Sequence, residues 1–99
     1  MKIFTLGIAV LALGLTNIAV AGDAAAGEAK SSACVACHGA DGIGTQGLYP
    51  NLKGQQEEYL VKTMKDYRDG ARSDDMMKMF VMSLSDADIE NLAAYYAGL

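Results

Sequence analysis

Cys34 and Cys37 stand three residues apart, and the second is followed directly by His38, the only histidine in the chain. No other feature restricts the fold so strongly. Two thiols at this spacing near the end of a helix can each add to one vinyl group of a single haem. The macrocycle is then fixed beside the backbone, and the next side chain lies under the iron. Cys34-Val35-Ala36-Cys37-His38 therefore reads as a covalent attachment segment for one haem c, with His38 as the proximal iron ligand. The same residues have other uses. A Cys34–Cys37 disulfide would suit an oxidising compartment. A thioredoxin-like dithiol needs a βαβ context, and no run of the sequence alternates as a strand does. Structural zinc needs four ligands, and two Cys with one His supply three.

The start of the chain has the composition of an export signal. Met1 and Lys2 form a short positive region, Ile3 to Leu15 an apolar one, and Ala19-Val20-Ala21 offers small residues to a signal peptidase. Residues 1–21 are expected to be a cleaved signal peptide and residues 22–99 a single domain in the periplasm. The alternative is a retained anchor, opposed by the Ala-x-Ala site and by the polar pair Thr16-Asn17 inside the segment. Removing 21 of the 99 residues leaves 78, too few to bury a comfortable core without a staple, metal or cofactor. Losing Lys2 also takes the formal charge from −4 to −5. With acids throughout and no basic run, nucleic acid is an unexpected partner. A basic protein surface suits this charge better, although mild acidity is first of all how a soluble protein stays in solution.

Asp23 is a candidate N-cap, and the alanine-rich stretch after it predicts a helix from about residue 24 into the cysteine segment. Gly39, Gly42, Gly44, Gly47 and Pro50 then predict a long irregular loop. Beyond Gly54, Leu60, Met64 and Tyr67 recur at helical spacing, with Gly70 placed as a stop. The stretch from Ala71 to Leu84 carries no clean period and predicts one helical turn at most. Ser85 can cap the amide of Asp88, opening a last helix with Ile89, Leu92, Ala93 and Tyr96 on one face. The expected fold is all-α, with three main helices and long loops around one haem.

A proximal histidine needs its second ring nitrogen anchored, usually on a backbone carbonyl. Pro50, the only proline, is a candidate acceptor, though it reads equally well as a loop stiffener. For the sixth iron position no second histidine exists, and both cysteines are used by the thioethers. Methionine or an open site remains. Met64 lies on the apolar face of a helix and reads as core packing, which leaves Met76, Met77, Met79 and Met82. Residue chemistry alone does not choose among these four.

With these residues identified, the chain resembles a bacterial class I c-type cytochrome, similar to the short soluble single-haem carriers and to one half of the dihaem cytochrome c4 type. "GDAAAGEAKSSACVACHGADG" resembles the attachment opening, "YPNLKGQQEEYLVKTMKDYRDGAR" the middle, and "LSDADIENLAAYYAGL" the closing helix. The resemblance implies that the distal methionine lies seven residues before the Leu of the Leu-Ser-Asp motif, which from Leu84 is Met77. It further implies that the Pro50 carbonyl accepts from His38, and that Gly27 lets the first and last helices cross near Tyr95 or Tyr96. Glycine more often stands where Met79 does, and a small or polar residue where Met82 does.

Iron held by His38 and Met77 has no open position for substrate, and a thioether favours the ferrous state. The expectation is a non-enzymatic, periplasmic single-electron carrier, a monomer or weak dimer, with no small-molecule substrate. Its partners would be redox proteins, either membrane respiratory complexes or soluble dehydrogenases. Two rivals are an electron-transfer subunit of a dehydrogenase complex and a ligand-binding haem sensor. The sensor would require the methionine to be absent or displaceable.

Overall fold

The computed structural model describes residues 22–99; the expected signal peptide, residues 1–21, lies outside the described residues. Asp23 opens the first helix, its carboxylate accepting from the backbone N–H of Ala25 at 3.0 Å and of Ala26 at 3.3 Å. These are donors that the first turn of a helix leaves without partners. Helix α1 (Ala24–Lys30) passes through a single 3₁₀ turn (Ser31–Ala33) into the short helix α2 (Val35–His38). The expected first helix thus forms, with a tightened turn placed just before the cysteines.

Residues 39–56 make the expected irregular loop. Helix α3 (Glu57–Asp69) follows, with Glu57 and Glu58 in its first turn, Arg68 in its last, and Gly70 closing it. Helix α5 (Asp86–Ala97) starts at Ser85 with a reciprocal capping box: the Ser85 hydroxyl accepts from the N–H of Asp88, and the Asp88 carboxylate accepts from the N–H of Ser85, both at 3.0 Å.

One element departs from the sequence reading. Residues 75–81, expected to hold a single turn at most, form helix α4 (Asp75–Val81). Asp74 caps it, its carboxylate accepting from Met77 N–H at 2.9 Å. The helix escaped the periodicity test because its apolar residues run together instead of recurring every three or four positions. Among the described residues, five α-helical segments replace the three expected, and the all-α class stands.

Helix α5 is the element on which α1 and α3 both pack, while α4 lies against α3. Its inner face carries the predicted set: Ile89, Leu92, Ala93 and Tyr96 are all buried. Leu92, Ala93 and Tyr96 form one cluster with Leu60 of α3, flanked by Leu52, Val61, Met64, Leu84 and Cys34. Burying a side chain such as Ile89 or Leu92 contributes roughly 1.5–3 kcal/mol. The crossing of α1 over α5 depends on Gly27. A Cβ there would lie 1.9 Å from the carbonyl oxygen of Asn91 and 2.9 Å from Tyr95 Cβ. Asn91 also reaches back, its side-chain oxygen accepting from Asp23 N–H at 2.8 Å. Arg68 ties the end of α3 to the start of α5 through the Leu84 carbonyl at 3.2 Å and Asp86 at 2.8 Å.

Candidate functional site

Helix α2 is one turn long, so its last carbonyls have no partners within it. The loop supplies them. Thr45 donates its N–H to the Cys37 carbonyl at 2.9 Å and places its hydroxyl 3.0 Å from the Ala36 carbonyl. The chain can turn back so sharply because Gly39 follows His38 at φ 79°, where a Cβ would meet the Ile43 carbonyl oxygen at 2.1 Å. Asn51 then holds the far side of the loop, its side-chain oxygen accepting from Gly44 N–H at 2.8 Å. Neither Thr45 nor Asn51 stood out in the sequence, since a loop hydroxyl or amide has no periodic signature.

This folded loop sets the Pro50 carbonyl oxygen 2.9 Å from His38 Nδ1. A carbonyl can only accept, so Nδ1 carries a ring proton, and in the neutral imidazole the lone pair is then on Nε2. The imidazole is buried, with 6% of its surface exposed. Cys34 and Cys37 are half-buried and unpaired, with no disulfide between them. Burial pushes the Cys34 thiol up, and the neighbouring Tyr96 hydroxyl works against that rise.

The four clustered methionines separate by exposure. Met76, Met79 and Met82 are 56%, 58% and 62% exposed, whereas Met77 is half-buried in the first turn of α4. The structure thus joins His38 to Pro50 directly. Met77 shares no hydrogen bond with the Cys34–His38 segment, and its backbone is held by Asp74, a residue the sequence reading passed over.

Two unpaired thiols, an imidazole with one nitrogen already committed, and a small apolar core bordering Cys34 fit a covalently attached haem. Among the described residues, no group of three or more His, Cys, Asp or Glu is arranged to hold a bare metal ion.

A family model described as Cytochrome c matches residues 24–99. This chain belongs to the cytochrome c family. Its cofactor is accordingly one haem c, covalent through Cys34 and Cys37. Cytochrome c4 from Pseudomonas aeruginosa is 51% identical over 88 residues, which are 88% of this chain and 44% of that protein. Cytochrome c-554(548) from Halomonas halodenitrificans is 52% identical over 80 residues, 78% of this chain and 96% of that one. Among solved structures, reduced recombinant cytochrome c4 from Pseudomonas stutzeri superposes with a TM-score of 0.74 at 40% identity, over 78% of this chain and 45% of that one. The chain therefore spans less than half of the cytochrome c4 relatives, and nearly all of the shorter Halomonas protein. The cytochrome c fold expected from the resemblance is the fold observed.

Proposed function

We propose that this cytochrome c is a periplasmic single-electron carrier whose haem iron is held by His38 Nε2 on one side and Met77 Sδ on the other. The observation that carries this reading is the 2.9 Å contact between His38 Nδ1 and the Pro50 carbonyl. It fixes the tautomer, aims Nε2 away from the loop and raises its basicity as a ligand. The half-buried position of Met77, against three exposed neighbours, supports it as the distal ligand. Periplasmic location rests on the export-signal composition of residues 1–21.

When bound, haem c supplies a ferric–ferrous couple that exchanges one electron. The chain's own residues keep that exchange free of rearrangement. His38 is locked by Pro50, the loop under it is closed by Thr45 and Asn51, and Met77 is carried on a capped helix. With His38 and Met77 both held by the iron, no position would remain there for a substrate. The acidic surface steers the carrier towards a basic rim on a redox partner, a membrane respiratory complex or a soluble dehydrogenase, and a shuttle requires weak, fast-exchanging docking.

The visible spectrum of the dithionite-reduced protein before and after carbon monoxide tests the ligation. An unchanged low-spin c-type spectrum supports the carrier, and a shifted one moves the weight to gas binding. A second reading, a tightly held subunit of a dehydrogenase complex, is favoured by the exposure of Leu48, Met76, Met79 and Met82. Co-elution with a dehydrogenase on size exclusion of the native extract would select it.

A further inference from the structure

Tyr96 is 2% exposed, yet its hydroxyl has no hydrogen-bond partner of acceptable geometry. The phenol ring is fixed by the Leu60–Leu92–Ala93 cluster and by Tyr95, whose ring centre lies 5.0 Å away at 58°. The polar side chains set against the hydroxyl are those of Cys34 and Ser31. Ser31 is itself buried, and its single hydroxyl proton goes to the Glu28 carbonyl at 2.7 Å. Ser31 therefore cannot donate to Tyr96, and the phenol makes no hydrogen bond to its oxygen either. Cys34 packs on the same cluster as Tyr96, and once its sulfur is a thioether it has no proton and only accepts. A phenol with one proton and a sulfur with only lone pairs are complementary.

We propose that Tyr96 is a positioning residue for the haem attachment: its hydroxyl donates to the sulfur of Cys34 and so orients the first thioether from the C-terminal helix. This explains why a tyrosine stands where the surrounding apolar face would accept phenylalanine. Burial, the largest effect on this phenol, keeps it protonated well above its ordinary range, so the donor is present at every physiological pH. It also links α5, the hub of the helix packing, directly to the covalent anchor of the cofactor.

The inference rests on Cys34 being a thioether, and its test uses the haem-loaded ferrous protein, which is diamagnetic. Proton NMR should show a slowly exchanging Tyr96 hydroxyl resonance with cross-peaks to the Cys34 β-protons, protected by on the order of 100-fold against the exposed Tyr59 hydroxyl. The resonance should persist in Ser31→Ala and vanish in Tyr96→Phe, and only the latter should shift the Cys34 C–S band in the resonance Raman spectrum. A hydroxyl exchanging at the solvent rate overturns the proposal, as does one lost in Ser31→Ala with the C–S band of Tyr96→Phe unmoved. The wild-type measurement stands even if Tyr96→Phe does not fold. A protein without covalent haem would instead refute the attachment itself, so the two failures are distinguishable.

Discussion

The Pro50 carbonyl lies 2.9 Å from Nδ1 of His38, twelve residues earlier in the chain, and it is the loop between them that makes this possible. Gly39 turns the chain, and Thr45 and Asn51 close it. Proline contributes its fixed φ, and the backbone contributes the acceptor. Pro50→Gly keeps the carbonyl but frees the loop around it. The expected loss is about 1–2 kcal/mol, combining a weakened hydrogen bond with a more disordered unfolded chain. Guanidinium unfolding of the haem-loaded protein measures it. A midpoint equal to wild type would mean that the loop holds the carbonyl in place without the proline ring.

Met77 differs from its neighbours in being the half-buried member of a cluster that is otherwise open to solvent. Met77→Ala should therefore open the iron to carbon monoxide in the ferrous state and lower the midpoint potential, because the thioether favours reduced iron. Met76→Ala, Met79→Ala and Met82→Ala should each leave the spectrum unresponsive. Carbon monoxide titration of the four reduced variants decides the matter, and a response from any of the other three would reassign the ligand.

Gly27 and Gly47 are the same residue under opposite constraints. A Cβ at Gly27 would sit 1.9 Å from the Asn91 carbonyl oxygen, whereas at Gly47 it would meet nothing within 4 Å. Gly27→Ala must push α1 off α5 and should cost about 3 kcal/mol or more. Gly47→Ala should stay within about 0.5 kcal/mol of wild type. Urea denaturation of the pair checks both, and a Gly27→Ala protein of normal stability would show that the helix crossing tolerates a wider spacing.

What was legible in the sequence follows from how local each signal is. The caps Asp23 and Ser85, the stop at Gly70 and the buried face of α5 depend on neighbours within one or two turns, so spacing alone revealed them. The attachment pentapeptide was legible for the same reason. Helix α4 was not, because Met76, Met77, Met79, Phe80, Val81 and Met82 run together with no polar face to mark a period, and its decisive feature is a single cap at Asp74. Thr45 and Asn51 were missed because they act on residues seven to nine positions away across a loop, a distance at which no pattern recurs. The buried Tyr96 hydroxyl was hidden differently: periodicity placed the ring in the core, but only the packing shows that its oxygen is left without a partner and that Cys34 borders the same cluster.

The capping box of α5 carries a charge, and this gives it a pH dependence. The Asp88 carboxylate accepts from Ser85 N–H at 3.0 Å, and this backbone hydrogen bond, before the Ser85 hydroxyl and Lys30, holds its carboxyl below the usual range. The folded state thus binds the proton more weakly than the unfolded chain. The stabilisation is complete above about pH 4, the unfolded value, and is lost as pH falls through the lower folded one. Asp88→Asn should weaken the protein at pH 7, with the gap to wild type closing in acid. Some acid sensitivity should survive in the variant, because Arg68 depresses Asp69 in the same way. Ser85→Ala, which removes the hydroxyl and keeps the N–H donor, should cost about 1 kcal/mol from the lost cap, and somewhat more at pH 7 than at pH 3 because the hydroxyl also supports the charged carboxylate. Urea midpoints at pH 7 and pH 3 for the three proteins separate the two halves of the box. A gap between wild type and Asp88→Asn that does not narrow in acid would mean that the carboxylate's charge adds nothing to its role as an acceptor.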